Sequence, residues 1–180
     1  MLELLQNFDD NTYAPSVVPT VHISLTNHSL TFDCNELGFE QADIDALCNV
    51  GSSTKTKGSG YIGHKGIGFK AVFKVSDTPE VHSKHYHISF DKNDRIGLGY
   101  IVPRPAPIPP TWGDGGDGDG HKGTQIILPF DTKEDAERQQ IKSRIRDIDP
   151  SLLLFVQKLR CIVLEDGSGS EGGGVGLKWT

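Results

Sequence analysis

Basic residues are in short supply: 18 Lys and Arg stand against 24 Asp and Glu, a net charge of -6. A protein that grips a nucleic-acid backbone sets clustered Lys and Arg against phosphate, and no basic arm is present, so nucleic acid is not an expected partner. Long apolar runs are missing too. The longest, Leu152 to Val156, falls far short of the roughly 20 residues that span a bilayer, which argues against a membrane protein. The first residues, Met1-Leu-Glu-Leu-Leu-Gln-Asn, have neither a basic region nor an extended apolar segment, so no signal or transit peptide is expected. Cysteine is sparse. Cys34, Cys48 and Cys161 form an odd set without metal-ligand spacing, which suits reduced thiols in the cytosol or nucleus.

What remains is a polar but foldable chain. Hydrophobic residues are 36% and charged residues 23% of the 180, enough for one core and too apolar for wholesale disorder. Glycine stands out with 21 copies in two settings. One cluster, Gly58 to Gly68, is interleaved with Lys, Ile and Tyr and leads into an apolar segment. The others, Gly113 to Gly123 and Gly167 to Gly176, are mixed with Asp and Ser and read as a flexible loop and tail. The expected organisation is a domain over residues 1–166 and a Gly/Ser-rich tail over 167–180.

Leu2, Leu5 and Phe8 recur at helical spacing, and Glu3 and Asn7, four apart, share a face. Met1 lies inside that pattern, so the chain reads as starting in mid-helix, truncated at its N-terminus. Val21-His-Ile-Ser-Leu and Ser29-Leu-Thr-Phe-Asp alternate apolar and polar around Thr26-Asn-His, the pattern of a hairpin. Glu40 to Val50 reads as a helix stopped near Gly51. Phe69 to Val75 is too short to divide helix from strand by pattern. Tyr86 to Phe90 and Gly99 to Val102 read as a second hairpin around Asp91 to Asp94, and Pro103 to Gly123 as a long surface excursion. Thr124 to Pro129 resumes a strand, Glu134 to Ile148 and Ser151 to Arg160 read as helices meeting at Asp149-Pro150, and Ile162-Val-Leu is a last strand. The sum predicts an α+β sandwich, a mixed and mostly antiparallel sheet covered on one face.

Gly58-Ser-Gly60-Tyr-Ile-Gly63 matches G-x-G-x-x-G in form, but no strand precedes it, and the P-loop pattern fails because His64 intrudes before Lys65. Gly63-His-Lys-Gly66-Ile-Gly68-Phe-Lys is the better phosphate-facing loop: glycines at 63, 66 and 68 let backbone N–H groups approach a polyphosphate closely, although tight packing alone would also use them.

Read together, four segments resemble the ordered motifs of the GHKL ATPases, the superfamily of gyrase, the ninety-kilodalton heat-shock chaperone, histidine kinases and MutL. Glu3 to Asp10 resembles the first motif, Asp33-Cys-Asn-Glu-Leu-Gly38-Phe39 the adenine-reading second, Gly63 to Phe69 the third, and Gly123-Thr124 the fourth. Ser52-Ser-Thr-Lys55 lies where the nucleotide lid would begin. The phrases Cys-Asn-Glu-Leu-Gly-Phe, Gly-Ser-Ser-Thr-Lys and Gly-His-Lys-Gly-Ile-Gly-Phe-Lys look most like the chaperone-like sacsin and NO VEIN group.

The resemblance implies a Bergerat fold that binds ATP with Mg²⁺. Asn7 would offer its amide oxygen to Mg²⁺, a cation of hard oxygen ligands, and Glu3, one turn earlier, would orient or deprotonate a water. Asp10, Gly38, Ser53, Lys55, Gly63, Lys65, Gly66, Ile67, Gly68, Phe69 and Thr124 complete the implied nucleotide contacts. Asp33 is one candidate for the adenine amine. The usual D-x-G-x-G pattern is departed from by one extra residue and by Asn35 in place of glycine; counting back from Gly38 lands on Cys34, so Asn35 or a backbone group is the other candidate. Slow hydrolysis with lid closure, a non-hydrolysing nucleotide-binding or protein-interaction module, and an inactive truncated fragment are the activities left open. ATP or ADP, client proteins and further domains of a longer protein are the implied partners.

Other clusters carry less. His82, His85 and His87 lack a nearby Cys or acidic partner and read as surface histidines, not a metal site. Asp114, Asp117 and Asp119 lack the closing glutamate of a calcium loop and read as solvated.

Overall fold

The computed structural model describes residues 2–48, 68–112, 123–130, 133–167 and 175–180. Among them run three α-helices, α1 (Leu2–Asp10), α2 (Gln41–Cys48) and α3 (Asp135–Arg146), and eight strands. The strands are β1 (Thr20–Leu25), β2 (Ser29–Cys34), β3 (Glu80–Ser83), β4 (Tyr86–Ser89), β5 (Arg104–Pro105), β6 (Thr124–Pro129), β7 (Cys161–Asp166) and β8 (Val175–Trp179). They form one sheet in the order β5-β4-β3-β6-β2-β1-β7-β8. Every pairing is antiparallel except β1 with β7, so the fold is α+β with a mixed, open sheet. No helix among the described residues is long and apolar enough to cross a membrane.

Period-2 alternation builds the core. Val21, Ile23 and Leu25 of β1 and Leu30, Phe32 and Cys34 of β2 are buried together, leaving His22, Thr31 and Asp33 on the other face. Onto the apolar face pack Leu4, Leu5 and Phe8 of α1 and Ile44 and Leu47 of α2, within one contiguous core. The rings of Phe8 and Phe32 lie 6.0 Å apart. At the hairpin turn the Thr26 hydroxyl accepts from the backbone N–H groups of His28 and Ser29, which fixes the register. The undecided segment after the glycine loop is a 3-10 helix, Phe69–Lys74, that buries Phe69, Val72 and Phe73.

Four expectations are corrected. Gly99 to Val102 is a turn: the N–H groups of Ile101 and Val102 both donate to the Leu98 carbonyl, and Arg104–Pro105 takes the edge beside β4. The chain folds back on itself there: the Asp91 N–H donates to the Gly99 carbonyl, and the backbones approach so closely that a Cβ on Gly99 would stand 1.6 Å from the Asp91 carbonyl oxygen. β4 pairs instead with β3, through a turn in which Lys84 takes φ 51. The helix read over Ser151 to Arg160 is a 3-10 helix, Pro150–Phe155, begun by Asp149 accepting from the Ser151 N–H. It stops because the buried Asp9 carboxylate on α1 accepts the N–H groups of Gln157, Lys158 and Leu159, holding that stretch in a bend outside the helix. Finally, the stretch read as a flexible tail contains β8. Ile162 and Leu164 of β7 offer partners to Trp179 and Leu177, and Trp179 packs against the core.

Candidate functional site

α1, α2, the loop before α2 and Phe69 line a cleft over β6. Its lining is Asn7, Phe8 and Asn11 of α1, Phe39 of the loop, Asp43 and Leu47 of α2, Phe69, and Ile126 from the sheet. Most of these are apolar, with a few convergent polar groups, the make-up of a small-molecule site. Asn7 reaches the cleft because the buried Leu4, Leu5 and Phe8 fix the rotation of α1.

The tightest approach is between Asn7 and the glycine loop. A Cβ added to Gly68 would stand 3.2 Å from both Oδ1 and Nδ2 of Asn7. Gly68 has ordinary helical angles, φ -63 and ψ -37, so the absence of a side chain here serves space and not backbone freedom. Phe69 is buried, its ring 5.5 Å from Phe90. The Lys70 ammonium donates to the carbonyls of Leu47 and Tyr100 and lies 5.0 Å from the Phe90 ring centroid; burial pushes its pKa below the usual lysine value.

The structure separates the two residues expected at adenine from the cleft. Asp33 points to the face of β2 opposite Phe32 and Cys34, and its carboxylate accepts from Gln125 Nε2 at 3.1 Å. Asn35 is turned to β1, its Oδ1 accepting from the Thr20 N–H at 2.8 Å and its Nδ2 donating to the Val18 carbonyl at 3.0 Å. Cys34 is fully buried and 3.2 Å from the Tyr13 hydroxyl. Burial, ahead of the opposing Tyr13 hydrogen bond, pushes its thiol up to about 12; burial and Cys34 also raise Tyr13.

Between them stands an acid that the motif comparison passes over. Glu36 is 3% exposed; its Oε2 accepts from the Gly38 N–H at 2.9 Å, and its Oε1 from the Thr124 hydroxyl. Thr124, fully buried, also meets Ser83 Oγ at 2.7 Å, and Ser83 accepts the Phe39 N–H at 2.7 Å. Gly38 takes φ +82, where a side chain would strain the backbone, and a Cβ there would strike the Lys84 side chain at 2.7 Å. Two motif residues, Gly38 and Thr124, are therefore joined through Glu36 and Ser83 into one hydrogen-bonded frame beside the cleft wall. The signal for Glu36 was its place two residues before Gly38, inside the quoted phrase.

The remaining candidates divide. Glu3 is exposed on the first turn of α1, and Asp10 is exposed at its end, where its carbonyl accepts from Lys158 Nζ. Ser53, Lys55, Gly63, Lys65, Gly66 and Ile67 lie outside the described residues. Among the described residues no group of three or more His, Cys, Asp or Glu side chains could hold a metal ion. The histidines differ from the surface reading in one respect: His82 is fully buried and has an acidic partner, Glu80.

Residues 20–98 match the family model described as the Sacsin domain. The chain is 43% identical to Protein NO VEIN of Arabidopsis thaliana, a match covering 91% of this chain and 6% of that protein. Among solved structures it resembles the crystal structure of the N-terminal domain of a DNA repair protein, with a TM-score of 0.50 and 10% identity, over 97% of this chain and 49% of the other. That likeness concerns the fold alone. The chain thus spans a small part of the curated relative and about half of the solved one. The Sacsin-domain match and the similarity to NO VEIN together support a place for this chain in the sacsin/NO VEIN-like group.

Proposed function

We propose that this chain is an ATP-binding domain with the Bergerat fold of the GHKL superfamily, taking Mg²⁺-ATP into the cleft between α1 and α2. The observation that carries the reading is the Asn7–Gly68 approach: an amide oxygen and a side-chain-free backbone meet beside a largely apolar cleft. An adenine ring needs apolar walls, and Phe39, Leu47 and Ile126 provide them. The donor set fits the metal as a partner of phosphate: one neutral oxygen from Asn7 and, among the described residues, no carboxylate cage, as expected where Mg²⁺ keeps waters and phosphate oxygens. When bound, Mg²⁺ supplies neutralisation of phosphate charge. Asn7 would hold it through its amide oxygen, the backbone at Gly68 would face phosphate, and the 35–39 loop, held by the Glu36–Thr124–Ser83 frame, would receive the base. Glu3 lies one turn from Asn7 as the residue to orient a water.

The second reading, binding without turnover, is favoured by the exposure of Glu3, since a general base must be held within hydrogen-bond reach of its water. Client proteins and further domains of a longer chain are proposed partners for either reading. Titration of a fluorescent ATP analogue with and without Mg²⁺ tests the site. Saturable, Mg²⁺-dependent binding that is lost in Asn7→Ala supports it; binding indifferent to both Mg²⁺ and Asn7 would overturn it. Phosphate release by wild type and Glu3→Ala then divides the readings, turnover in the first and none in the second favouring hydrolysis.

A further inference from the structure

Across the sheet face opposite the cleft runs one polar row. His22 of β1 pairs with Asp33 of β2, Asp33 with Gln125 of β6, Gln125 with His82 of β3, and His82 with His87 of β4. At its β3–β4 end the row is roofed by Trp112, which is 6% exposed and has its ring centroid 5.9 Å from His82 and 5.4 Å from His87. None of these three residues serves the nucleotide reading. We propose that the His82–His87 pair is a proton-operated latch that holds the 104–112 segment on the sheet, and that acidification releases it.

The proton count decides how the latch works. His82 Nε2 lies 3.2 Å from Glu80 Oε2, and its Nδ1 lies 3.1 Å from His87 Nδ1. An ionised carboxylate only accepts, so Nε2 of His82 carries hydrogen. The Nδ1–Nδ1 contact then holds a single hydrogen: His87 donates it to a neutral His82, or a charged His82 donates it to His87. A second charge on the pair would turn two N–H groups against each other. His82 is fully buried, so no water relieves that clash, and the rings must separate.

The groups facing the pair support one charge and not two. Glu80 on β3 is the anion in contact with it. From β6 Gln125 is neutral, and Asp33 on β2 is hydrogen-bonded to Gln125. Arg104 on β5 is paired with Asp91 and Asp94. His85, in the β3–β4 turn, adds a like charge when protonated. Burial first, then His82 and His85, hold His87 below the ordinary histidine value of 6.5. A depressed value means that the folded form resists the proton: the closed latch is fully stable above 6.5, begins to lose stability as pH falls through it, and has lost the whole contribution below the folded value. What separates is light. β5 is two residues long, and besides its pairing with β4 and the ion pairs of Arg104 to Asp91 and Asp94 the segment is fastened by the Ala106 N–H donating to the His87 carbonyl and by Trp112.

The full chain contains two tryptophans, so Trp179→Phe leaves Trp112 as the sole emitter. Its fluorescence should shift red between pH 7.5 and 4.5 with a midpoint below 6.5, while far-UV circular dichroism keeps its native shape; His87→Gln should abolish the shift. Overturning results are a flat emission profile, a shift that survives His87→Gln, or a shift that coincides with loss of the far-UV signal. Should Trp179→Phe fail to fold, histidine NMR titration of the wild type decides. One resonance must titrate below 6.5, and seven ordinary titrations would sink the latch.

Discussion

Glu36 carries more structure than its place in the motif suggests. Both its oxygens accept hydrogen bonds from residues that frame the cleft wall, Oε2 from the Gly38 N–H and Oε1 from the Thr124 hydroxyl. A carboxylate so held fixes the loop that carries Phe39 to the cleft, whereas Asp33 is hydrogen-bonded to Gln125 of β6 and Asn35 to Thr20 of β1. Under the proposed nucleotide reading, Glu36→Gln should weaken ATP by roughly 1–3 kcal/mol, the cost of mispairing a buried polar group that holds the cleft wall, and blunt the preference for ATP over GTP. Asp33→Asn should leave both affinities unchanged. Competition titrations with the two nucleotides check this, and the opposite pattern would return base reading to Asp33. The sequence marks the loop but not the residue. Alternation in Leu30-Thr-Phe-Asp-Cys already puts Asp33 on the face away from the core, and that period-2 argument outranks the motif alignment. Nothing comparable marks Asn35, whose role depends on the distant backbone of Val18 and Thr20.

At the scale of elements, what local periodicity controls is legible. The first helix, the β1–β2 hairpin, β6 and α3 fall where apolar spacing puts them, and Gly38 and Gly68 stand at close approaches beside the cleft. What depends on long-range partners is not. β3 has only Glu80–Ser83, without a glycine or asparagine turn to announce its hairpin, and it is a strand because β4 and β6 flank it. β8 sits beyond a glycine-rich run, and only the unfilled edge of β7 makes it a strand. Removing residues 168–180 would uncover that edge along Cys161–Asp166, beside the parallel β1–β7 pair. Open edges recruit other chains. The truncated protein should melt at lower temperature and sediment as concentration-dependent oligomers, whereas a monomer of unchanged melting temperature would mean that β8 contributes nothing to the sheet.

For the whole molecule the three cysteines form a graded set of reporters. Cys48 at the end of α2 is half-buried, Cys161 is 4% exposed, and Cys34 is 0% exposed beneath α1, with its thiol pushed up to about 12. A thiol-specific reagent needs both access and thiolate, so Cys48 should react first and Cys34 only through opening of the core. For a domain with about 5 kcal/mol of stability the open fraction is roughly 10⁻³ to 10⁻⁴, and the Cys34 rate should be slower than that of an exposed thiol by at least that factor. Cys34 sits on the strand that leads into the 35–39 loop, so its opening dismantles the wall of the cleft. A ligand bound there favours the closed form by RT ln(1 + [L]/Kd), and ATP at about 100 times its Kd should slow Cys34 labelling roughly 100-fold. Mass spectrometry of quenched time points resolves the three sites. Equal rates at Cys34 and Cys48 without nucleotide would contradict the placement of β2 in the core, because no closed sheet could give that result. Slow Cys34 labelling that ignores both ATP and Mg²⁺ would leave the fold standing and remove the nucleotide from the cleft.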